Sequence, residues 1–344
     1  MAVSALSNPT IPPGSLILVT GANGLIASHV VDQLLATGYQ VRGTVRDLAR
    51  CSWMEPFFSN RHGEGRFELL EVSNFSAPGA WDAAVKGVLG VAAVAGVASL
   101  ASRDVDEALE DSFTCTVTLL EAAKAQPTIK SFVYTSSAWA AFTPDASKKR
   151  KLTEWSWNEE AVRLARGEGS PQEKAIPSFM ATRTLLEQRI WDWVKRERPY
   201  FAFNSVLPDT VIGEVLNPQE QGIPSTCGMV KWLWDGTNMD LLSHMQPQYH
   251  VDTRDTGLLY VAALITPGVN GERLFGFGHR YSWHRVEQIL SQLYPDKKLP
   301  GVKDNGWDQT EVPNGRAEEL IRGLGKDGWT SLEDSVRDCA KGFA

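Results

Sequence analysis

A short apolar run, Leu16-Ile17-Leu18-Val19, passes directly into Thr20-Gly21-Ala22-Asn23-Gly24-Leu25-Ile26-Ala27, and this junction restricts the fold more than any other stretch. Four apolar residues bounded by turn formers read as a strand buried on both faces, the condition found in parallel sheets. A helical pattern then runs to Gly38 and turns Leu25, Val30, Val31, Leu34 and Leu35 inward. A second strand is expected over Gln40–Val45. Strand, glycine turn, helix and strand in this order make one βαβ unit. The alternation recurs, with strands expected at 67–72, 88–94, 132–135 and 201–207 and helices at 104–125 and 179–194. Such a pattern predicts an α/β chain with a Rossmann-type doubly wound parallel sheet.

The turn has its own chemistry. Gly21 permits a tight bend, Gly24 lets the backbone approach a pyrophosphate, and Ala27 is small enough for close helix–strand packing. The helix start presents free N–H groups and partial positive charge to phosphates. The end of the second strand then chooses the dinucleotide. An acidic residue there would bind the ribose 2′-hydroxyl of NAD. This chain has Arg46, with Arg50 one turn on, and a guanidinium suits a 2′-phosphate. The expected cofactor is therefore NADP(H). Asp47 stands open between a ribose contact and a cap for the next helix.

From Gly213 the pattern changes. Residues 213–250 are rich in Trp, Met, Gly and Pro and show little periodicity. Helix is expected again at 252–264, strand at 273–276, and helices at 283–293, 316–323 and 331–342. The expected organisation is an N-terminal arm (1–14), an NADP(H)-binding domain (15–212) and a smaller C-terminal substrate lobe (213–344), with 252–276 returning to the first domain. The lobe would cover the carboxyl edge of the sheet, where open α/β folds bind ligands.

Charge narrows the partners. With 34 Lys+Arg against 41 Asp+Glu the net charge is −7, which argues against nucleic acid or an anionic membrane. Lys148-Lys149-Arg150-Lys151 reads as a solvated loop. Four scattered cysteines without a CxxC spacing suggest a reduced, cytoplasmic setting, and no His/Cys spacing suggests a metal. No signal peptide is expected, and the most apolar stretch, 85–100, is too short and interrupted to span a bilayer. Twelve Trp is a high number, and many should line either the core or a lobe that takes a hydrophobic small-molecule substrate.

The turn resembles the cofactor fingerprint of extended short-chain dehydrogenases/reductases. Val41-Arg42-Gly43-Thr44-Val45-Arg46, Thr135-Ser136-Ser137, Trp155-Ser156-Trp157-Asn158, Leu207-Pro208 and His250-Val251-Asp252-Thr253-Arg254-Asp255 follow in that group's order. The branch most similar is the dihydroflavonol-reductase-like one, with its fungal and yeast NADPH-dependent aldehyde/carbonyl reductases. The resemblance spans roughly residues 15–340 and is most specific in the cofactor half. It implies cofactor contacts from Thr20, Gly21, Asn23, Gly24, Leu25, Ile26, Arg46, Asn74, Val94, Ala95, Thr135, Arg183 and Pro208. It implies monomers or homodimers. It also places Ser137 at the substrate carbonyl. Where the family has a Tyr that protonates the alkoxide, and a Lys four residues on, this chain has Phe179 and Arg183. Phe has no proton to give, and Arg stays protonated. Asn74 stands at a usual Asp, and Ala93 replaces a common His.

Asp209, directly after Pro208, is then the leading alternative acid, since a carboxyl in an apolar pocket holds its proton to higher pH. The plainer reading of Asp209 is a turn cap. Tyr134 reads as sheet core, and Tyr249, His244 and His250 as structural hydrogen-bonders near the lobe. Met229, Trp232 and Trp234 line a pocket or pack as helix core. Three functions remain open. One is an atypical NADPH-dependent oxidoreductase acting on an imine, iminium or conjugated carbonyl in fungal secondary metabolism. The second is a non-redox cyclase, isomerase or cycloaddition catalyst on the same scaffold. The third is an NADP(H)-binding module without chemistry.

Overall fold

A computed structural model describes residues 6–96 and 104–344. Residues 1–5 of the expected arm and 97–100 of the apolar stretch lie outside the described residues. The strands are β1 Leu16–Thr20, β2 Gln40–Val45, β3 Phe67–Glu71, β4 Gly90–Ala93, β5 Ser131–Thr135, β6 Ala202–Pro208, β7 Thr210–Ile212, β8 Gln248–Asp252, β9 Arg273–Gly276 and β10 His279–Tyr281. The helices are α1 Leu25–Ala36, α2 Leu48–Cys51, α3 Met54–His62, α4 Asp82–Val85, α5 Val105–Lys124, α6 Glu159–Arg166 and α7 Pro171–Glu197. They continue with α8 Pro218–Gln221, α9 Ser225–Asp235, α10 Met239–His244, α11 Thr253–Ile265, α12 Trp283–Leu293, α13 Gly315–Gly323 and α14 Leu332–Ala340.

Seven strands form one sheet in the order β3-β2-β1-β4-β5-β6-β9, and every pairing in it is parallel. This is the doubly wound Rossmann arrangement. The chain order reverses between β1 and β4, so a crevice opens there outside the carboxyl ends of the strands. On one face α1 and α11 pack with Val30, Val31, Leu34, Leu259 and Val261 fully buried. On the other, α5 and α7 contribute Leu120, Leu186, Ile190 and Trp193. Helix α11 is buried almost all round, and Gly257 makes that possible: a Cβ there would sit 2.7 Å from the His29 carbonyl oxygen. A three-stranded sheet, β10-β8-β7, and helices α9, α12 and α14 enclose a second core.

Two expectations fail for physical reasons. Residues 213–250 are not irregular, since they hold β7's exit, α8, α9, α10 and most of β8. Helices of 4, 11 and 6 residues are too short to show a period. Gly228 also looks like a breaker inside α9, yet it is needed for packing, because a Cβ there would lie 2.8 Å from Ile223 O. Helix α7 begins eight residues earlier than expected, at Pro171. Ser170 and Glu173 form a reciprocal capping box around a proline at the first position, and Pro177 is carried inside the helix. Read linearly, Pro177 looks like a stop.

Candidate active site

The turn after β1 floors a cleft of about 700 Å³, also lined by Arg46, Arg50, Asn74 and Ala95. Gly21 has φ +66°, and a Cβ on it would lie 2.9 Å from the Ala95 Cβ, so any side chain closes the cradle. Thr20 Oγ1 accepts from Ala95 N at 2.9 Å and holds that loop in place. Helix α1 starts after Gly24 without a side-chain cap and without an acidic residue in its first turn. Its leading N–H groups are left for an anion. Asp47 Oδ1 accepts from Arg50 N at 3.1 Å, so of its two open roles the structure shows the helix cap. Arg46 and Arg50 are exposed at the cleft. Asn74 Oδ1 accepts from Ser76 N at 3.0 Å.

Other expected cofactor residues act as supports. Leu25 and Ile26 turn into the lobe core, so backbone is what they can offer a ligand. Val94 packs on the sheet core. Thr135 Oγ1 donates to Ala93 O at 2.8 Å and lies 2.6 Å from Tyr260 Oη, tying β5 to β4 and α11. Pro208 pairs with Gly276 at the end of β6. One contact had no signal in the sequence. Gln221 Nε2 donates to Asn23 O at 3.1 Å and to Ser28 Oγ at 3.2 Å, strapping α8 of the lobe across the turn.

Around the end of β5, Ser137 is half-buried and its Oγ accepts from Trp139 N at 3.2 Å, starting a single 3-10 turn, Ala138–Ala140. Trp139 meets the Phe179 ring edge-on at 5.8 Å, and the Arg183 guanidinium lies 5.0 Å from that ring on its other contact. Arg183 reaches the cleft wall: a methyl group on Gly96 would lie 3.5 Å from its Nη1. Burial lowers the Arg183 pKa, and its electrostatic neighbour among the described residues is the Tyr134 hydroxyl. Tyr134 itself packs in the sheet core, where burial raises its pKa, with Arg183 and Glu187 as neighbours. One turn beyond Arg183, Glu187 accepts from Ser136 Oγ at 2.6 Å and from Ser205 Oγ at 2.7 Å. Arg273 donates to both Glu187 carboxylate oxygens and to the carbonyls of Glu154 and Ser156. Asn158 completes the brace by donating to Trp139 O at 2.8 Å.

Trp139 Nε1 donates to Gln248 Oε1 at 2.7 Å, and the next residue of β8, Tyr249, meets Asp209. Asp209 Oδ2 accepts from Tyr249 N at 3.1 Å, and Thr210 Oγ1 approaches its other oxygen at 3.4 Å. Burial, with Asp308 nearby, pushes the Asp209 carboxyl up to about 8. The unfolded value is near 4. The stability this proton brings is full below about pH 4 and is lost as pH rises through about 8. Asp209→Asn is therefore expected to gain stability relative to the parent between pH 5 and pH 9, by roughly 1–2 kcal/mol after solvent screening. Denaturant melts at the two pH values measure it, and equal differences at both would refute the buried proton.

The remaining candidates fall into structural places. Tyr249 Oη donates to Thr310 O at 2.7 Å. His244 Nδ1 bonds its own helix at Asp240 O. His250 is buried, its pKa pushed down to about 4 by burial, and it stacks on His279. Met229 and Trp232 pack on the lobe core, and Trp234 sits between Tyr294 and Phe343. In the basic run, Lys148 pairs with Asp145 and Glu160, and Arg150 with Glu160. No helix among the described residues is long and apolar enough to cross a membrane. The described residues also contain no cluster of metal-ligating side chains.

A sequence profile described as the NAD dependent epimerase/dehydratase family matches residues 17–158. Aldehyde reductase 2 of Sporidiobolus salmonicolor is 36% identical over 98% of both chains. The ketoreductase adrE of Penicillium rubens is 40% identical over 96% of both. The chain belongs to the extended short-chain dehydrogenase/reductase family. Its fold matches that of the yeast methylglyoxal/isovaleraldehyde reductase Gre2 solved with NADPH, with TM-score 0.77 and 21% identity over 95% of this chain and 97% of that one. For this family member the profile ends at Asn158, ahead of Phe179, whereas the likeness to whole relatives runs the length of the chain. Relatives' names include epimerase/dehydratase as well as reductase: terH of Aspergillus terreus, 34% identical over 96% of this chain and 97% of its own, carries the former. Membership of the extended family thus leaves the reaction to be read from the site.

Proposed function

We propose that this chain is an NADPH-dependent reductase of a hydrophobic small molecule in fungal secondary metabolism, acting without the Tyr–Lys pair of its family. The observation that carries the reading is the placement of Phe179 and Arg183. They share one face of α7, between Trp139 of the Ser137 turn and Gly96 at the cleft wall. The cleft fits a dinucleotide, since its glycine cradle and uncapped helix start suit a pyrophosphate. Arg46 and Arg50 favour the 2′-phosphate, and aldehyde reductase and ketoreductase relatives favour reduction.

When bound, the cofactor supplies a hydride. Ser137 orients the electrophile through its hydroxyl. Arg183 remains cationic even with its pKa lowered and holds ribose hydroxyls, but it relays no proton. Asp209 carries the proton that Phe179 lacks. Trp139 and Phe179 exclude water on one side. Such a site suits an imine, an iminium or a conjugated carbonyl, acceptors that need less help from an acid than a simple ketone. Incubation with NADPH and a panel of cyclic imines, enones, ketones and aldehydes, followed by absorbance, tests the assignment. NADPH binding without oxidation by any class would defeat it.

Arg46→Ala is expected to weaken NADPH binding about 10–100-fold, the loss of one hydrogen-bonded charge contact of about 1.5–3 kcal/mol, and to leave NADH binding unchanged. Calorimetric titration of both cofactors reads it. Equal losses for the two would place the 2′-phosphate elsewhere.

A non-redox catalyst on the same scaffold has one observation in its favour, the absence of a hydroxyl at Phe179. Shape and positioning alone can lower a barrier by several kcal/mol. Turnover with oxidised cofactor would support it.

A further inference from the structure

Helix α8 belongs to the lobe by sequence, yet its last two residues, Glu220 and Gln221, line the cofactor cleft together with Gly21, Asn23 and Gly24. The Gln221 amide is engaged at both ends. Its Oε1 accepts from Asn217 N at 3.0 Å, and its Nε2 donates to Asn23 O at 3.1 Å and to Ser28 Oγ at 3.2 Å. An N–H on one side and a carbonyl on the other fix which way the amide faces. Ser28 is buried, and its hydroxyl extends the tie by donating to Leu25 O at 3.2 Å. The segment leading into α8 is held to α1 as well, with Glu214 O 2.8 Å from His29 Nε2.

These bonds fall where α1 begins. Its first backbone bond runs from Ser28 N to Gly24 O at 2.9 Å. The Asn23 carbonyl, one residue earlier, takes no backbone N–H among the described residues and accepts from Gln221. Had the helix begun one residue sooner, Asn23 O would have taken the Ala27 N–H. That N–H is left among the donors that can meet an anion. A side chain from the lobe thus occupies the carbonyl that would compete with a phosphate.

We propose that Gln221 is a positioning residue for the dinucleotide. By holding the Asn23 carbonyl and the Ser28 hydroxyl, it keeps the first turn of α1 open to the pyrophosphate. The inference rests on NADP(H) as the ligand of this cleft and needs no assignment of the proton donor.

The test is titration of the full chain with NADPH, followed by the cofactor's fluorescence, and displacement by adenosine 2′-phosphate. The second ligand has the adenine and the 2′-phosphate and lacks the pyrophosphate. Gln221→Met keeps the length of the side chain and removes its donors. It is expected to weaken NADPH about tenfold and to leave adenosine 2′-phosphate within about twofold. Gln221→Glu sets an acceptor against the Asn23 carbonyl and is expected to lose more. Ser28→Ala removes one of the two acceptors, is expected to lose about threefold, and should lose less once residue 221 no longer donates. Unchanged NADPH affinity in folded Gln221→Met overturns the proposal. So does an equal loss for the two ligands, which marks a general loosening, or full additivity of the two substitutions. If Gln221→Met does not fold, Ser28→Ala decides alone, and unchanged NADPH affinity there overturns the proposal. No turnover is needed. The expected losses in a chain that reduces nothing would leave this inference standing and defeat the functional assignment alone. Intact NADPH affinity in an active Gln221→Met enzyme would do the reverse.

Discussion

The double exchange Phe179→Tyr with Arg183→Lys is expected to create NADPH-dependent reduction of simple ketones, raising the rate by about 10²–10⁴-fold, the contribution of one well-placed general acid. The scaffold around both positions is already in place. Phe179 is held edge-on by Trp139, so a para hydroxyl extends from a ring whose plane is fixed. Arg183 already projects from the next turn of α7 to the loop at Gly96, and a lysine there is a compact charge beside the new hydroxyl. A nearby cation lowers a phenol's pKa, which a tyrosine donor at neutral pH requires. Phe179→Tyr alone should yield a smaller gain, because the broad guanidinium stays where the ammonium is wanted. The measurement is cofactor oxidation with a ketone panel, on protein whose fold and NADPH binding are checked in parallel. A folded, NADPH-binding double variant with no gain would show that this face of α7 does not meet the nicotinamide.

Much of the cofactor half was legible because it rests on short-range rules. A buried strand, a glycine turn and an amphipathic helix sit next to each other in sequence, and β2 and β9 start and stop at the expected residues. The lobe was less legible because its segments are short and its core is assembled from distant ones. Gly228 and Pro177 carried misleading local signals, since each answers to its neighbours in space more than to its neighbours in sequence. At the site, Phe179, Arg183 and Asp209 were visible as substitutions in a motif. Glu187 had one faint signal, its place one helical turn after Arg183. Arg273 had none.

That last pair supports the second large prediction. Glu187 and Arg273 are both fully buried, 2.9 Å apart at their closest, and Arg273 lies 3.8 Å from the Trp157 ring. Glu187 also accepts from Ser136, Ser205 and Trp191. Removing one charge of such a pair strands the other, at a cost of about 3–5 kcal/mol. That is a large share of a typical stability of about 5–15 kcal/mol. Arg273→Met is therefore expected to lose about 3–5 kcal/mol in denaturant melts. Glu187→Leu with Arg273→Met should lose clearly less than the sum of the single changes, since neither charge is then left alone. The double variant carries a separate expectation for the site. Ser136 Oγ loses its acceptor, the carbonyls of Glu154 and Ser156 lose their donor, and the turn holding Ser137 and Trp139 loosens. Turnover on the best acceptor should fall even where the double variant is stable, while NADPH affinity, set at the other end of the cleft, should hold. If Arg273→Met costs less than about 1 kcal/mol, the two groups are not a buried charged pair, and the Ser137 turn is held by the bonds of Asn158 and Gln248 to Trp139 instead.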